Sequence, residues 1–185
     1  MNKNSFPTAL TIAGTDPSGG AGIMADLKSF QARQVYGMAA VTSVVAQNTK
    51  GVRLIQNVDL EMLEAQLACV FEDIPPLALK TGMIPNVDMM RIIRKYVDGS
   101  VPYVMDPVMV ATSGARLIRE DAICAMQEKL FKIAEVITPN IPEAELLSGI
   151  EIQTQKDMER AAEMIGRQFG CSVLLKGGHQ RQDAN

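Results

Sequence analysis

The stretch Ala9-Leu10-Thr11-Ile12-Ala13-Gly14-Thr15-Asp16-Pro17-Ser18-Gly19-Gly20-Ala21-Gly22 decides the fold class. Ala9 to Ala13 is a short apolar run, too short for an amphipathic helix and suited to a buried strand. The loop behind it has four glycines in nine residues and leads into a helix, so its backbone amides can approach a ligand closely at a helix N-terminus. Strand, glycine loop and helix together are the opening of a βαβ unit.

The same alternation continues outward. Met38 to Val45, Ala78 to Lys80, Tyr103 to Asp106, Val136 to Thr138 and Val173 to Lys176 are further candidate strands. Between them, Leu60, Leu63, Leu67, Val70 and Phe71 fall on one helical face, as do Met158, Ala161, Ala162, Ile165 and Phe169. Asp59 opens the first of these helices, and Thr154 with Asp157 opens the second. No repeat, low-complexity tract or linker divides the chain, so residues 1–185 are expected to form a single α/β domain with a mostly parallel central sheet flanked by helices. In such sheets the ligand lies outside the carboxyl ends of the strands. There the sequence gathers glycines and small polar residues: the loop from Gly14, then Gln47-Asn48-Thr49, Thr81-Gly82-Met83, Pro107-Val108-Met109 with Thr112-Ser113-Gly114, Pro139-Asn140-Ile141-Pro142-Glu143, and Gly177-Gly178.

Composition removes several classes of function. Of the 185 residues 47% are hydrophobic and 21% charged, enough for a sizeable core. A net charge of -3 offers no basic field for nucleic acid. No apolar run approaches the roughly 20 residues that span a bilayer, and Met1 to Pro7 lack a signal-peptide plan, so a soluble, cytoplasmic protein without membrane association is expected. Cys69, Cys124 and Cys171 lie far apart among apolar residues and read as buried reduced thiols. With His179 the only histidine, a His/Cys metal site and a Ser-His-Asp triad are both improbable. Twelve methionines and no tryptophan indicate a core filled by adaptable side chains.

The glycine loop departs from two familiar phosphate loops. A Walker A loop needs Lys and then Ser or Thr after its last glycine, whereas Gly20 is followed by Ala21. Gly20, Gly22 and Ala25 fit the dinucleotide fingerprint, but no acid lies between Asp26 and Asp59 to hold a ribose. A glycine turn that serves packing alone is a third reading. Other rim residues have two readings each. Asn140 and Glu143 have capping-box spacing and also offer hard oxygens suited to Mg²⁺ and its waters. Asp106 can satisfy loop amides or belong to a cation site, and Lys176 can reach a phosphate or lie exposed at a strand end. Gln47 and Met83 can be a loop amide bonded to backbone and a core gap-filler.

Taken together, the opening stretch with Ala25-Asp26-Leu27-Lys28, then Val45-Ala46-Gln47-Asn48-Thr49, Lys80-Thr81-Gly82-Met83, Asp106-Pro107-Val108-Met109, Thr138-Pro139-Asn140 with Glu143, and Leu175-Lys176-Gly177-Gly178-His179 closely resemble the hydroxymethylpyrimidine/phosphomethylpyrimidine kinases, a branch of the ribokinase-like superfamily. The resemblance runs in order through nearly the whole chain. It implies a three-layer ribokinase-like fold and transfer of the γ-phosphoryl of MgATP to 4-amino-5-hydroxymethyl-2-methylpyrimidine and then to its monophosphate, in thiamine biosynthesis. By position it implies a pyrimidine pocket of Gly14, Asp26, Gln47, Met83 and Val108, with Gln47 reading the aminopyrimidine. An ATP and phosphate side of Asp106, Asn140 and Lys176 is likewise implied, with Asn140 and Glu143 at Mg²⁺, and a homodimer.

Related enzymes of the branch act on pyridoxal or pyridoxine. They tend to replace the glutamine and to carry a cysteine after the fourth strand, where Val110 and Ala111 stand here, so pyrimidine is favoured. The family continues past the Lys-Gly-Gly strand to a Gly-Thr-Gly-Cys/Asp-Thr motif that supplies an anion hole, and that motif is not in these 185 residues. The expectation is therefore a domain incomplete at its C-terminus, with no assignable catalytic residue and, acting alone, defective phosphoryl transfer. A catalytically defective pyrimidine-binding protein is the remaining alternative.

Overall fold

The structure, a computed structural model, describes residues 6–109 and 120–177. Val110, Ala111, Thr112-Ser113-Gly114, Gly178 and His179, all named above, lie outside the described residues. Among the described residues, strands and α-helices follow in the order β1 (Thr8–Ala13), α1 (Gly22–Ala32), β2 (Tyr36–Val41), β3 (Ser43–Asn48), β4 (Gly51–Asn57), α2 (Leu60–Asp73), β5 (Ala78–Thr81), α3 (Val87–Tyr96), β6 (Tyr103–Met105), α4 (Glu120–Lys129), β7 (Val136–Ile137), α5 (Ile141–Ser148), α6 (Gln155–Phe169) and β8 (Ser172–Val173). Six strands form one parallel sheet in the order β2-β1-β5-β6-β7-β8.

This order explains the layers. From β1 the chain steps one way to β2, then returns past β1 and steps the other way through β5 to β8. Right-handed crossovers then put α1 on one face of the sheet and the later crossover helices on the other. On that second face α2 packs against α3, α3 against α4, and α5 against α6. Leu10, Ile12, Leu79, Met105 and Ile137 carry the sheet's part of the core. Met89, Met90, Met109 and Met126 fill it from helices and loops, as the methionine-rich composition led us to expect.

The helices begin where local chemistry starts them. Asp59 accepts a hydrogen bond from the Met62 amide at 2.9 Å, Asn86 caps α3 through Met89, and full capping boxes at Asn140/Glu143 and Thr154/Asp157 start α5 and α6. Leu63 and Leu67 are buried under α2 as expected, but Leu60 is exposed at its first turn. The cysteine reading is corrected. Cys69 and Cys124 are exposed and Cys171 is half-buried, because Cys69 lies two residues beyond buried Leu67, on the opposite side of the helix.

A second correction concerns Met38 to Val45, which is not one strand. β2 ends at Val41, and β3 leaves the main sheet to pair antiparallel with β4 in a two-stranded ribbon. Thr42, fully buried, is the pivot. Its amide donates to the Ala13 carbonyl, its own carbonyl accepts from Val58, and its hydroxyl donates to the Met83 carbonyl at 2.7 Å. The ribbon leaves Val44, Val52, Leu54 and Ile55 exposed. Among the described residues no helix is long and apolar enough to cross a membrane.

Candidate functional site

The reversal of strand order falls between β1 and β5, so the crevice rule puts a ligand at their carboxyl ends. Three chain segments meet there. Gly14 leaves β1, the ribbon strand β3 rises beside it, and Met83 follows β5. A Cβ on Gly14 would lie 2.8 Å from Met83 Cε and 3.6 Å from both Val45 Cγ2 and the Ser43 carbonyl oxygen, so this point admits no side chain without moving Met83. The Thr15 amide donates to Ser43 O at 2.9 Å, and the Val45 amide donates to Thr15 Oγ1 at 2.8 Å, which pins the glycine loop to β3. Gly14, Met83 and the strand carrying Gln47 are thus brought together.

The glycine loop is organised around a residue that the sequence had not singled out. Asp16, 3% exposed, accepts at Oδ1 from the Ser18 amide (2.9 Å) and hydroxyl (2.7 Å), and at Oδ2 from the amides of Gly20 (3.1 Å) and Ala21 (2.8 Å). Burial opposes ionisation here, but the hydrogen bonds from Ser18 and the loop amides, with the nearby Gln47 side chain, outweigh it and hold the pKa at about 2. These amides face an internal anion, so the expectation that they present themselves to a ligand is replaced by a loop stabilised from within. The usable signal was Asp followed two residues later by Ser in a glycine turn, the setting of an Asx turn.

Asp26 sits on α1 above the sheet. Its Oδ2 accepts from the Thr11 hydroxyl at 2.6 Å and pairs with Lys80 Nζ at 2.8 Å, both ion-pair partners being largely covered. Val108, half-buried, follows β6, with its amide bonded to the Asp106 carbonyl.

Along the rim, the ends of β6, β7 and β8 lie side by side and carry a polar cluster. Lys176 Nζ contacts Asp106 Oδ1 at 2.6 Å, and the Thr138 hydroxyl donates to the same oxygen at 3.2 Å. Asn140 and Lys176 are joined by a parallel backbone bridge, with the Lys176 amide donating to Pro139 O at 2.8 Å. Glu143 is 1% exposed, and its two oxygens accept from the amides of Asn140 (2.9 Å) and Met109 (3.2 Å). Burial raises its pKa, the two amides and Lys176 pull it back, and Asp106 adds to the rise. The capping reading of Asn140 and Glu143 is therefore present in full. Adjacent strands lie about 4.8 Å apart, so the three steps from β1 to β7 put Gly14 and Asn140 roughly 14 Å apart. That span can seat a small ring at one end and a polyphosphate at the other.

Residues 16–185 match the family model described as phosphomethylpyrimidine kinase. A hydroxymethylpyrimidine/phosphomethylpyrimidine kinase of Staphylococcus aureus (strain MSSA476) is 49% identical over 174 residues, covering 92% of this chain and 63% of the relative, so the chain spans less than two thirds of that relative's length. The crystal structure of phosphomethylpyrimidine kinase from Clostridium difficile 630 superposes with a TM-score of 0.84 at 42% identity, covering 96% of this chain and 78% of the other. A pyridoxal kinase from Staphylococcus aureus in complex with AMP-PCP and pyridoxal superposes with a TM-score of 0.80 at 34% identity, covering 94% and 63% respectively. On the family-model match over residues 16–185 and these relatives, the chain belongs to the phosphomethylpyrimidine kinase family.

Proposed function

We infer that this chain is part of an ATP-dependent kinase that phosphorylates the hydroxymethyl group of 4-amino-5-hydroxymethyl-2-methylpyrimidine and then its monophosphate, in thiamine biosynthesis in the cytoplasm. The observation that carries this is the meeting of Gly14, Met83 and the Gln47 strand at the reversal of strand order, with Asp106 and Lys176 on the same rim. On this reading Gly14, Asp26, Gln47, Met83 and Val108 bound the ring. Lys176, two-fifths exposed, exchanges Asp106 for a phosphate oxygen, and Asn140 lies beside it.

Mg²⁺ belongs to the same reading, and the donors fit a hydrated ion. Each Glu143 oxygen accepts one amide and retains a lone pair, while Asp106 is the carboxylate nearer solvent. Asn140 and Glu143 would hold the ion's waters. When bound, the ion would neutralise charge on the transferred phosphoryl. A homodimer is also proposed, supported by the exposed Val44, Val52, Leu54 and Ile55 of the ribbon.

Calorimetric titration separates the readings. The aminopyrimidine should bind wild-type protein and lose at least about tenfold in affinity on Gln47→Met, since a site built to hydrogen-bond a ring discriminates strongly. Pyridoxal is the second reading, favoured by the superposition on the pyridoxal-bound kinase. Tighter binding of pyridoxal than of aminopyrimidine would establish it instead. Aminopyrimidine binding without phosphate transfer from MgATP would mark this chain by itself as a binding protein.

A further inference from the structure

On the face of the sheet that α1 covers, a charged pair lies beside the ends of β1 and β5 with one oxygen left over. Thr11 on β1 and Lys80 on β5 are register partners, and both reach Asp26 Oδ2, the hydroxyl at 2.6 Å and the ammonium at 2.8 Å. Side chains two residues further along share that face, and only Ala13 and Gly82 stand there. A Cβ on Gly82 would fall 3.2 Å from Lys80 Nζ, so the glycine makes room for the ammonium at the strand end, next to Met83. Thr11 is fully buried, whereas the Lys80 and Asp26 side chains each keep 19% of their surface exposed. Among the described residues Asp26 Oδ1 accepts no hydrogen bond, and no buried side-chain oxygen lacks a partner. Oδ1 is therefore the part of the carboxylate that reaches solvent.

We propose that Lys80 and Thr11 are positioning residues for the ring site: together they fix the Asp26 carboxylate through Oδ2 and leave Oδ1 as one preset acceptor for an N–H or O–H donor on the ring. This rests on the reading in which Asp26 bounds the ring. Neither residue needs to touch the ligand. A carboxylate free to rotate loses rotamer entropy when it meets a donor, whereas one already held by two partners does not. The sense of the contact is set as well. Asp26→Asn would turn its amide oxygen toward Lys80, because an NH₂ set against an ammonium is repelled, and would then present a donor to the ligand in place of an acceptor.

Calorimetric titration of 4-amino-5-hydroxymethyl-2-methylpyrimidine into wild-type protein, Lys80→Met, Asp26→Asn and the double variant tests this as a mutant cycle. Asp26→Asn should weaken binding at least about tenfold, the scale of a lost hydrogen bond to a charged group. Lys80→Met should weaken it roughly three- to tenfold, the scale of ordering one side chain on binding. In the Asp26→Asn background, however, Lys80→Met should weaken binding no further, because there Lys80 holds the wrong group toward the ligand. A merely structural role would weaken both backgrounds alike, and that result overturns the proposal. Thr11 gives a second test that holds even if Lys80→Met fails to fold. Thr11→Val should weaken binding roughly threefold, while Thr11→Ser, which keeps the hydroxyl, should stay within about twofold of wild type. Equal loss in both, or no loss in Thr11→Val, overturns the proposal while leaving Asp26 at the ring. Unchanged affinity in Asp26→Asn, or no binding by wild type, overturns the reading of Asp26 itself and the proposal with it.

Discussion

Replacing Gly22 by alanine tests how the pocket loop is built. Gly22 opens α1 with φ +56°, and the Ile23 amide beside it donates to the Gly14 carbonyl at 3.0 Å. A Cβ at Gly22 would stand 2.3 Å from that same carbonyl oxygen, 3.3 Å from Gly14 C and 3.5 Å from Thr15 C. These are backbone atoms, so no side-chain rotation relieves the clash. The left-handed backbone costs an alanine about 1–2 kcal/mol. Pushing Gly14 aside adds the roughly 1–3 kcal/mol typical of overpacking and loses a hydrogen bond worth about 0.5–1.5 kcal/mol. The expected destabilisation is roughly 2.5–6.5 kcal/mol, a large share of the ~5–15 kcal/mol that holds a typical domain together. Urea denaturation followed by circular dichroism measures it, with Gly20→Ala as the control. A Cβ at Gly20 meets nothing closer than 3.7 Å, so that variant should stay within about 0.5 kcal/mol of wild type. Gly22→Ala within about 1 kcal/mol of wild type, or Gly20→Ala equally damaging, would refute the reasoning.

Other predictions follow from single side chains. Tyr103→Phe leaves the buried Thr81 hydroxyl without its 2.6 Å partner and should cost about 1–3 kcal/mol, whereas the double variant with Thr81→Val should recover much of the loss, as thermal melts would show. Glu143→Ala removes the acceptor for the Asn140 and Met109 amides and should cost about 2–3 kcal/mol with no metal added; an unchanged melting temperature would contradict the capping role. The carboxyl of Asp16 is held below its ordinary value near 3.8, at about 2, so its contribution to stability is complete above pH 4 and disappears as pH falls toward 2. Denaturation midpoints at pH 5 and pH 3 should therefore differ less in Asp16→Asn than in wild type.

How much of this was legible in the sequence depends on how local each cause is. The strand, glycine loop and helix from Ala9 onward were readable because burial, turn and cap signals follow one another directly. The Asn140/Glu143 box was readable for the same reason, its partners being three residues apart. The ribbon was not. Its departure at Thr42 is a change in main-chain pairing within an unbroken run of small and apolar residues, and β4 is exposed along its whole length, with no alternation to mark it. Lys176 and Asp106 meet across 70 residues, and Lys80 and Asp26 across 54, so only the assembled sheet brings them together. Asp16 lay in view within the most conspicuous stretch, yet the ribbon strand that pins its loop through Thr15 is a separate element, which hid how the loop is held.

The central claim is that a pyrimidine ring sits at the end of β1 and β5, against Met83. Carbon-13 methyl spectra of the methionine-labelled protein, with Met83 assigned by its loss in Met83→Leu, measure this directly. On addition of 4-amino-5-hydroxymethyl-2-methylpyrimidine, the Met83 methyl should show the largest ring-current shift, while the fully buried Met90 and Met105 methyls should hold their positions. Saturable ligand binding that leaves the Met83 methyl unmoved would contradict the account.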